Sequence, residues 1–114
     1  GTALSVAQLY ETYTKGGGAL MNATTFDALS SARTHGPDLV LPMITSFGAG
    51  IMHNTHGLFG PEPTTLGHCG WGGSIAIADQ RNGLTCAYVM NRQSNILVGD
   101  PRAVRLVEAA YECL

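Results

Sequence analysis

The stretch at residues 66–90, LGHCGWGGSIAIADQRNGLTCAYVM, constrains the fold of this chain more than any other stretch. Two apolar runs, at 74–78 and 84–90, flank the polar connector DQRNG. Asn82 and Gly83 in this connector both tolerate positive φ, which is typical of hairpin turns. The pattern therefore predicts an antiparallel β-hairpin whose loop is longer than two residues.

The two runs distribute their apolar side chains differently. In the first run, Ile75 and Ile77 project to one face, and the smaller Ala76 and Ala78 project to the other. The second run is apolar on both faces. That pattern predicts a strand inside a sheet that is covered on both sides.

The opening of the stretch, LGHCGWGGS, is rich in glycine and contains a histidine. Four glycines so close together weaken a strand interior. They indicate a bulge, a close approach of another backbone, or a ligand that binds bare amides. His68 lies at the head of the segment, and the residues alone fit a ligand site and a strand entrance with a solvated histidine equally well.

Three helices are predicted from capping residues that precede apolar-periodic segments. The predicted N-caps are Thr2, Asn22 and Asp100. The first helix should end at the glycines 16–18, the second should cover residues 23–31, and the third should start at Pro101.

The apolar faces of the first and last helices follow from helical spacing. The first face should contain Leu4, Val6, Leu9, Tyr10 and Tyr13, and the last should contain Val104, Leu106, Val107, Ala110 and Tyr111. The tyrosines are then expected to pack rather than to act in catalysis. Arg102 and Arg105 are expected on the solvated face of the last helix.

The segments between these elements are assigned from their glycines and prolines. Residues 32–45 and 55–65 are expected to be loops because both contain Gly and Pro. Residues 46–53 should form one strand whose two glycines weaken one face, and residues 91–99 should form a polar connector. The whole predicts an α+β fold with an antiparallel sheet flanked by helices, in which residues 1–114 are a single unit.

Composition excludes several classes of partner. The chain has 114 residues, a net charge of −2 and no cluster of Lys and Arg, so nucleic-acid binding is not expected. Its apolar runs are much shorter than the roughly 20 residues that span a bilayer, so no membrane partner is expected either. Only 12% of its residues are charged, which indicates apolar surface intended for a partner.

The cysteines indicate free thiols rather than a disulfide framework. There are three of them, with no C-x-x-C pair. Their positions are Cys69, Cys86 and Cys113. An odd number of unpaired cysteines favours a reducing intracellular compartment.

A metal site is a weaker hypothesis. His53 and His56 are two residues apart, with His68 and Cys69 further along, and these residue types ligate zinc. The pair lies in a Gly- and Pro-rich loop with few carboxylates nearby, where solvated histidines are more common. No metal and no cofactor are therefore expected.

The heptapeptide HCGWGGS at residues 68–74, followed by IAIADQRNGLTCAYVMNR, resembles the C-terminal part of the serine β-lactamase-related superfamily. Its class C-like β-lactamases, esterases and penicillin-binding protein-like members carry K-T-G or H-x-G here, then a Gly-Gly strand, an acidic turn and a strand that ends in V-M-N or L-A-N. The earlier F-G-x-G and F-G-P segments are similar as well. The resemblance implies the C-terminal portion of a β-lactamase/transpeptidase-like fold within a larger domain.

The resemblance also implies roles for particular residues. His68 takes the position of the family's Lys or His, which positions substrate and supports proton transfer. The backbone N–H of Trp71 takes the position of an oxyanion-hole donor. Gly70 and Gly72 would contact substrate through their backbone, and the side chain of Cys69 should point away from the cleft.

The chain departs from the family pattern at the nucleophile. Its nearest match to S-x-x-K is Thr12-Tyr13-Thr14-Lys15, which lacks the serine, and no Y-x-N or Y-x-S occurs. The hypothesis is therefore a C-terminal piece of a serine hydrolase that acts on an ester or amide and is inert by itself. Its partner would be the N-terminal half of the domain or a second copy. The alternative is a non-catalytic binding or assembly module.

Overall fold

The predicted hairpin is present in the computed structural model, which describes residues 1–114, and supplies the last two strands of its sheet. Its strands belong to a sheet of six consecutive antiparallel strands. The strands are β1 Thr34–Pro37, β2 Ile44–Phe47, β3 Met52–His53, β4 Leu66–Cys69, β5 Ile75–Asp79 and β6 Leu84–Tyr88. The helices are α1 Ala3–Thr14, α2 Ala23–Ser30 and α3 Pro101–Tyr111. The predicted α+β class is confirmed.

Each helix begins at its predicted cap. The side-chain oxygens of Thr2 and Asn22 accept hydrogen bonds from the backbone N–H groups of Ser5 and Thr25, at 3.1 and 2.8 Å. At α3, Asp100 Oδ1 accepts from the Arg102 N–H at 2.9 Å. These bonds satisfy backbone donors that the first helical turn leaves free. None of the three helices has the length and apolar character needed to span a bilayer.

The helices cover both faces of the sheet. On one face, Ile75 and Ile77 of β5 pack with Ala103 and Val107 of α3. On the other face, three buried side chains form a smaller core with Tyr10 and Tyr13 of α1 alongside. These buried residues are Phe26, Ile51 and Leu66. Every residue of β5 is buried as a result.

Two segments differ from the expectation. The predicted loop at 32–45 contains β1, whose Pro37 is tolerated because β1 is an edge strand that needs no ladder donor there. The predicted strand at 46–53 is two strands joined by a turn. In that turn the Gly48 N–H donates to the Ile51 carbonyl at 2.8 Å.

The hairpin is correct, but the position of its second strand is not fully as expected. α1 and α3 both contact β6, so it is covered on two faces. However, β6 lies at the edge of this sheet and pairs only with β5, so its residues are half-buried. On α1, Leu4 and Leu9 are exposed, and helical spacing alone had placed both in the core.

Candidate active site

Strand β4 separates His68 from its neighbours because successive side chains point to opposite faces of a sheet. Cys69 belongs to the core cluster on the α3 face and is 7% exposed. Burial raises the pKa of its thiol, which disfavours the reactive thiolate. His68 is exposed on the α1 face. The histidine is therefore the one side chain of the H-C-G motif that a ligand can reach.

The His68 ring is held in one tautomer. Its Nδ1 lies 2.8 Å from the Cys69 carbonyl oxygen. A carbonyl can only accept, so Nδ1 carries the proton and Nε2 of the neutral ring is an acceptor. Nε2 makes no hydrogen bond within the chain. The Phe47 ring lies beside it, with ring centroids 6.1 Å apart.

His68 opens into a groove of about 350 Å³ between α1 and the hairpin. Tyr10 of α1, Ser74 and Tyr88 also line this groove. Burial, and then the neighbouring Tyr13, raise the pKa of Tyr10 to about 12, so its phenol remains a hydrogen-bond donor at neutral pH. Tyr10 also packs against the smaller core, as its helical spacing predicts, so only its position in the groove goes beyond the sequence-based expectation.

The backbone after His68 forms a tight turn in which two N–H groups, those of Trp71 and Ser74, donate to no acceptor in the chain. The Gly70 N–H donates to the Ser74 carbonyl at 2.8 Å, and the Gly73 N–H donates to the Gly70 carbonyl at 3.1 Å. The N–H of Trp71, between them, donates to no acceptor in the chain. Trp71 as a whole residue is 71% exposed. A backbone N–H without an acceptor in the chain, such as that of Trp71, is able to bind an anionic or carbonyl oxygen.

Both backbone polar groups of Gly72 form hydrogen bonds with the neighbouring segment at residues 94–96. Its N–H donates to the Ile96 carbonyl at 3.1 Å, and its carbonyl accepts from the Ser94 N–H at 3.0 Å. Gly70 likewise uses both its backbone groups inside the turn. Contacts of either glycine with substrate remain a prediction. Because both N–H groups already donate within the chain, the glycines would contact substrate through their shape rather than by donating hydrogen bonds.

The sequence analysis did not predict an ion pair, between Asp100 and Arg102, that contacts this turn. The Arg102 side chain is 36% exposed, so the expected solvated position holds in part, but its guanidinium also donates to both Asp100 oxygens at 2.8 and 3.0 Å. It also reaches the carbonyls of Gly72 and Arg92 at 3.1 and 2.9 Å. Only the Asp-Pro-Arg spacing hinted at this, since an N-cap carboxylate lies within reach of a residue at the second helical position.

The remaining sequence candidates do not join the site. Lys15 pairs with Glu11 at 2.6 Å on the exposed side of α1. His53 donates from Nε2 to the Ser30 carbonyl at 2.7 Å and accepts from the Ser46 hydroxyl at 2.8 Å, so it fastens α2 to the sheet. No three His, Cys, Asp or Glu side chains lie close enough to hold a metal ion.

Comparison with known proteins places this geometry in a family. The family model for beta-lactamase matches residues 1–111. The chain belongs to the beta-lactamase family. The predicted resemblance to the serine β-lactamase-related superfamily is thereby confirmed. No curated protein matches this beta-lactamase family chain.

Solved structures agree with that assignment. A penicillin-binding protein homolog from Caulobacter crescentus is 46% identical with a TM-score of 0.92, over 99% of this chain and 32% of that one. A family VIII carboxylesterase is 35% identical with a TM-score of 0.88, over 96% and 31%. EstA from Arthrobacter nitroguajacolicus Rue61a, at 24% identity and a TM-score of 0.78 over 98% and 32%, shows the fold alone. This beta-lactamase family chain spans about a third of the length of each structure.

Proposed function

We propose that this chain forms one wall of a serine-hydrolase site that transfers the acyl group of an ester or amide. The observation that carries the proposal is the free Trp71 N–H, three residues after an exposed His68. Membership of the beta-lactamase family supports it. A penicillin-binding protein homolog and a carboxylesterase among the similar structures also support acyl chemistry.

The proposed step is attack of a serine hydroxyl on an acyl carbonyl. As the serine oxygen attacks, its proton passes to the base, the carbonyl π electrons move onto oxygen, and the Trp71 N–H stabilises the oxyanion that develops. Collapse of this oxyanion breaks the ester or amide bond, the alcohol or amine leaves with a proton, and the acyl group stays on the serine. One such donor contributes on the order of 3 kcal/mol to lowering the barrier. Nε2 of His68 accepts a proton or a hydrogen bond from the substrate side of the groove, which positions the substrate and supports proton transfer.

The serine and its base come, in this proposal, from residues outside these 114. The chain would then be the C-terminal segment of a larger domain, and it would be inert by itself. Two observations support this: the chain spans 32% of the Caulobacter structure, and its only lysine, Lys15, is paired on the surface.

A graft tests the proposal. This chain replaces the matching third of the Caulobacter penicillin-binding protein homolog, and the product is assayed with a chromogenic ester and a chromogenic cephalosporin. We expect turnover of at least one of them. Trp71→Pro, which removes the N–H, should lower kcat by about 100-fold or more, whereas Trp71→Phe, which keeps it, should stay near the parent.

The same graft supplies the contrary result. A folded graft that hydrolyses neither substrate would reject the catalytic role. Equal rates for Trp71→Pro and Trp71→Phe would reject the oxyanion role of the amide. His68→Ala should lower turnover as well, since it removes the only side-chain acceptor that the H-C-G motif presents to the groove.

A second candidate is a non-catalytic assembly module. The observations that favour it are the open edge of β6 and the exposed tip of the β1–β2 hairpin, where Leu39 and Val40 are 102% and 84% exposed. The partner would be the remainder of the domain or a second copy of this chain. Concentration-dependent association without any turnover in the graft would favour this candidate.

A further inference from the structure

The turn that contains the Trp71 N–H is held both by its own hydrogen bonds and by bonds from residues outside it. Within the turn, only Gly70, Gly73 and Ser74 bond to one another. The carbonyl of Gly72 belongs to the residue that follows Trp71. It accepts from Arg102 Nη2 at 3.1 Å as well as from the Ser94 N–H.

Arg102 connects three parts of the chain with one planar group. Its Nε and Nη2 reach the Asp100 carboxylate at the start of α3, and its Nη1 donates to the Arg92 carbonyl at 2.9 Å. Nη2 also reaches Gly72 in the turn. A guanidinium can do this because its N–H groups are fixed in a plane, which the single ammonium of lysine does not reproduce.

Asp100 is the buried carboxylate that orients Arg102 in this arrangement. It is 4% exposed, and Oδ2 accepts from the Ser94 hydroxyl at 2.6 Å. The hydrogen bonds from Arg102, and then from Ser94, hold the pKa of Asp100 well below its usual range. The carboxylate is therefore charged across the neutral range and orients the guanidinium.

Gly73 shows how closely the turn packs on this pair. Its φ is +121°, and a Cβ at this position would lie 2.8 Å from Asp100 Oδ2 and 2.9 Å from Arg102 Nη2. Such contacts are too short for any side chain. The turn therefore rests directly on the carboxylate and the guanidinium.

We propose that Asp100 and Arg102 are positioning residues that hold the Trp71 N–H where an oxyanion can reach it. This inference rests on the proposed acyl-transfer function. Neither side chain touches the reacting atoms. Both act through Gly72 and Gly73, by preventing the turn from changing the direction of the free Trp71 N–H.

The test compares two arginines of α3. Arg102→Gln and Arg102→Lys are made beside the control Arg105→Gln, whose exposed side chain bonds only to Pro101 in the same helix. In the graft, the Arg102 variants should lose about 10-fold or more in kcat with KM within about two-fold, because a displaced oxyanion donor weakens transition-state binding. Arg105→Gln should leave both constants near the parent.

Two further measurements keep the outcomes separate. In the chain itself, the amide resonance of Trp71 should move in Arg102→Gln and not in Arg105→Gln. Ser94→Ala, which removes one bond to Asp100 and leaves Arg102 intact, should give a smaller loss of kcat in a protein that still folds. An active parent graft with equal kcat for both glutamine variants, or an unmoved Trp71 resonance, would overturn the inference alone. A parent graft without turnover would overturn the proposed function instead.

Discussion

Substitutions at two glycines of one loop distinguish the cost of backbone strain from the cost of steric overlap. Gly57 and Gly60 both have positive φ, at +69° and +96°. A Cβ at Gly57 meets open space, whereas one at Gly60 would collide with the Tyr111 ring. We expect Gly57→Ala to cost about 1 kcal/mol from the left-handed backbone alone. Gly60→Ala should cost about 1–3 kcal/mol more from overpacking.

Urea unfolding of both variants measures the difference. Equal costs at the two positions would show that Tyr111 moves aside without penalty, and that the packing of α3 on this loop is looser than the structure indicates. The sequence could not distinguish these glycines, because both lie in the same predicted loop and the ring that meets Gly60 comes from the other end of the chain.

Asp79 gives the fold a dependence on pH. Its fully buried carboxylate accepts from the N–H groups of Arg81 and Asn82, from the Asn82 amide and from the Tyr111 hydroxyl. Burial alone would raise the pKa, but the hydrogen bonds from Asn82 and Tyr111 outweigh it and hold the pKa below its usual range. The ionised group therefore stabilises the fold above the unfolded value of about 3.9, and this contribution disappears as the pH falls.

We expect the free energy of unfolding to fall less steeply between pH 6 and pH 3 in Asp79→Asn than in the parent. Asp27→Asn is the control, since the exposed Asp27 side chain makes no hydrogen bond in the structure. Chemical denaturation at several pH values measures both slopes. Identical slopes in the parent and Asp79→Asn would contradict the assignment. The turn role of Asp79 was predictable from the sequence, whereas its bond to Tyr111 was not.

At the scale of elements, α3 shows what spacing can and cannot predict. Its start at Asp100 and Pro101 follows from local capping chemistry, and the structure confirms it. Helical spacing gave an apolar face too broad to orient the helix. Val107 is 1% exposed within the core, but its neighbour Leu106 is 49% exposed. Only the partner surface of the sheet decides between them.

The contrast between these neighbours is measurable. Val107→Ala should destabilise the fold by about 2 kcal/mol, since it removes buried methyl groups and leaves a cavity. Leu106→Ala should change stability by less than about 1 kcal/mol, although it removes more atoms. Thermal or urea unfolding gives both values. A larger loss of stability for Leu106→Ala than for Val107→Ala would mean that the solvent-facing side of α3 is packed against another part of the protein.

At the scale of the whole molecule, the sequence was most informative where structure is local. The helix caps and the hairpin were both assigned correctly from short patterns. Strand β1 and the turn between β2 and β3 were missed, because edge position and register depend on partners distant in sequence. The role of the Trp71 N–H came from the resemblance and stays a prediction. The contact of Asp100 and Arg102 with the same turn joins residues distant in sequence, so no short pattern indicates it.

The edge of the sheet at β6 leads to a prediction about association. β6 is uncharged and half-buried, and it pairs only with β5, so it lacks the charges and prolines that usually protect an edge. The tip of the β1–β2 hairpin is a second exposed apolar site, at the opposite end of the sheet. Val89, next to β6, and Leu39, at the tip, are 40% and 102% exposed.

We expect the chain by itself to associate as its concentration rises, through β6 rather than through the tip. Sedimentation of Val89→Lys and Leu39→Lys then locates the contact: the first should remain monomeric at concentrations where the parent and the second associate. Association lost in Leu39→Lys alone would place the contact at the hairpin tip. A parent that stays monomeric at high concentration would show that the open edge of β6 does not mediate self-association.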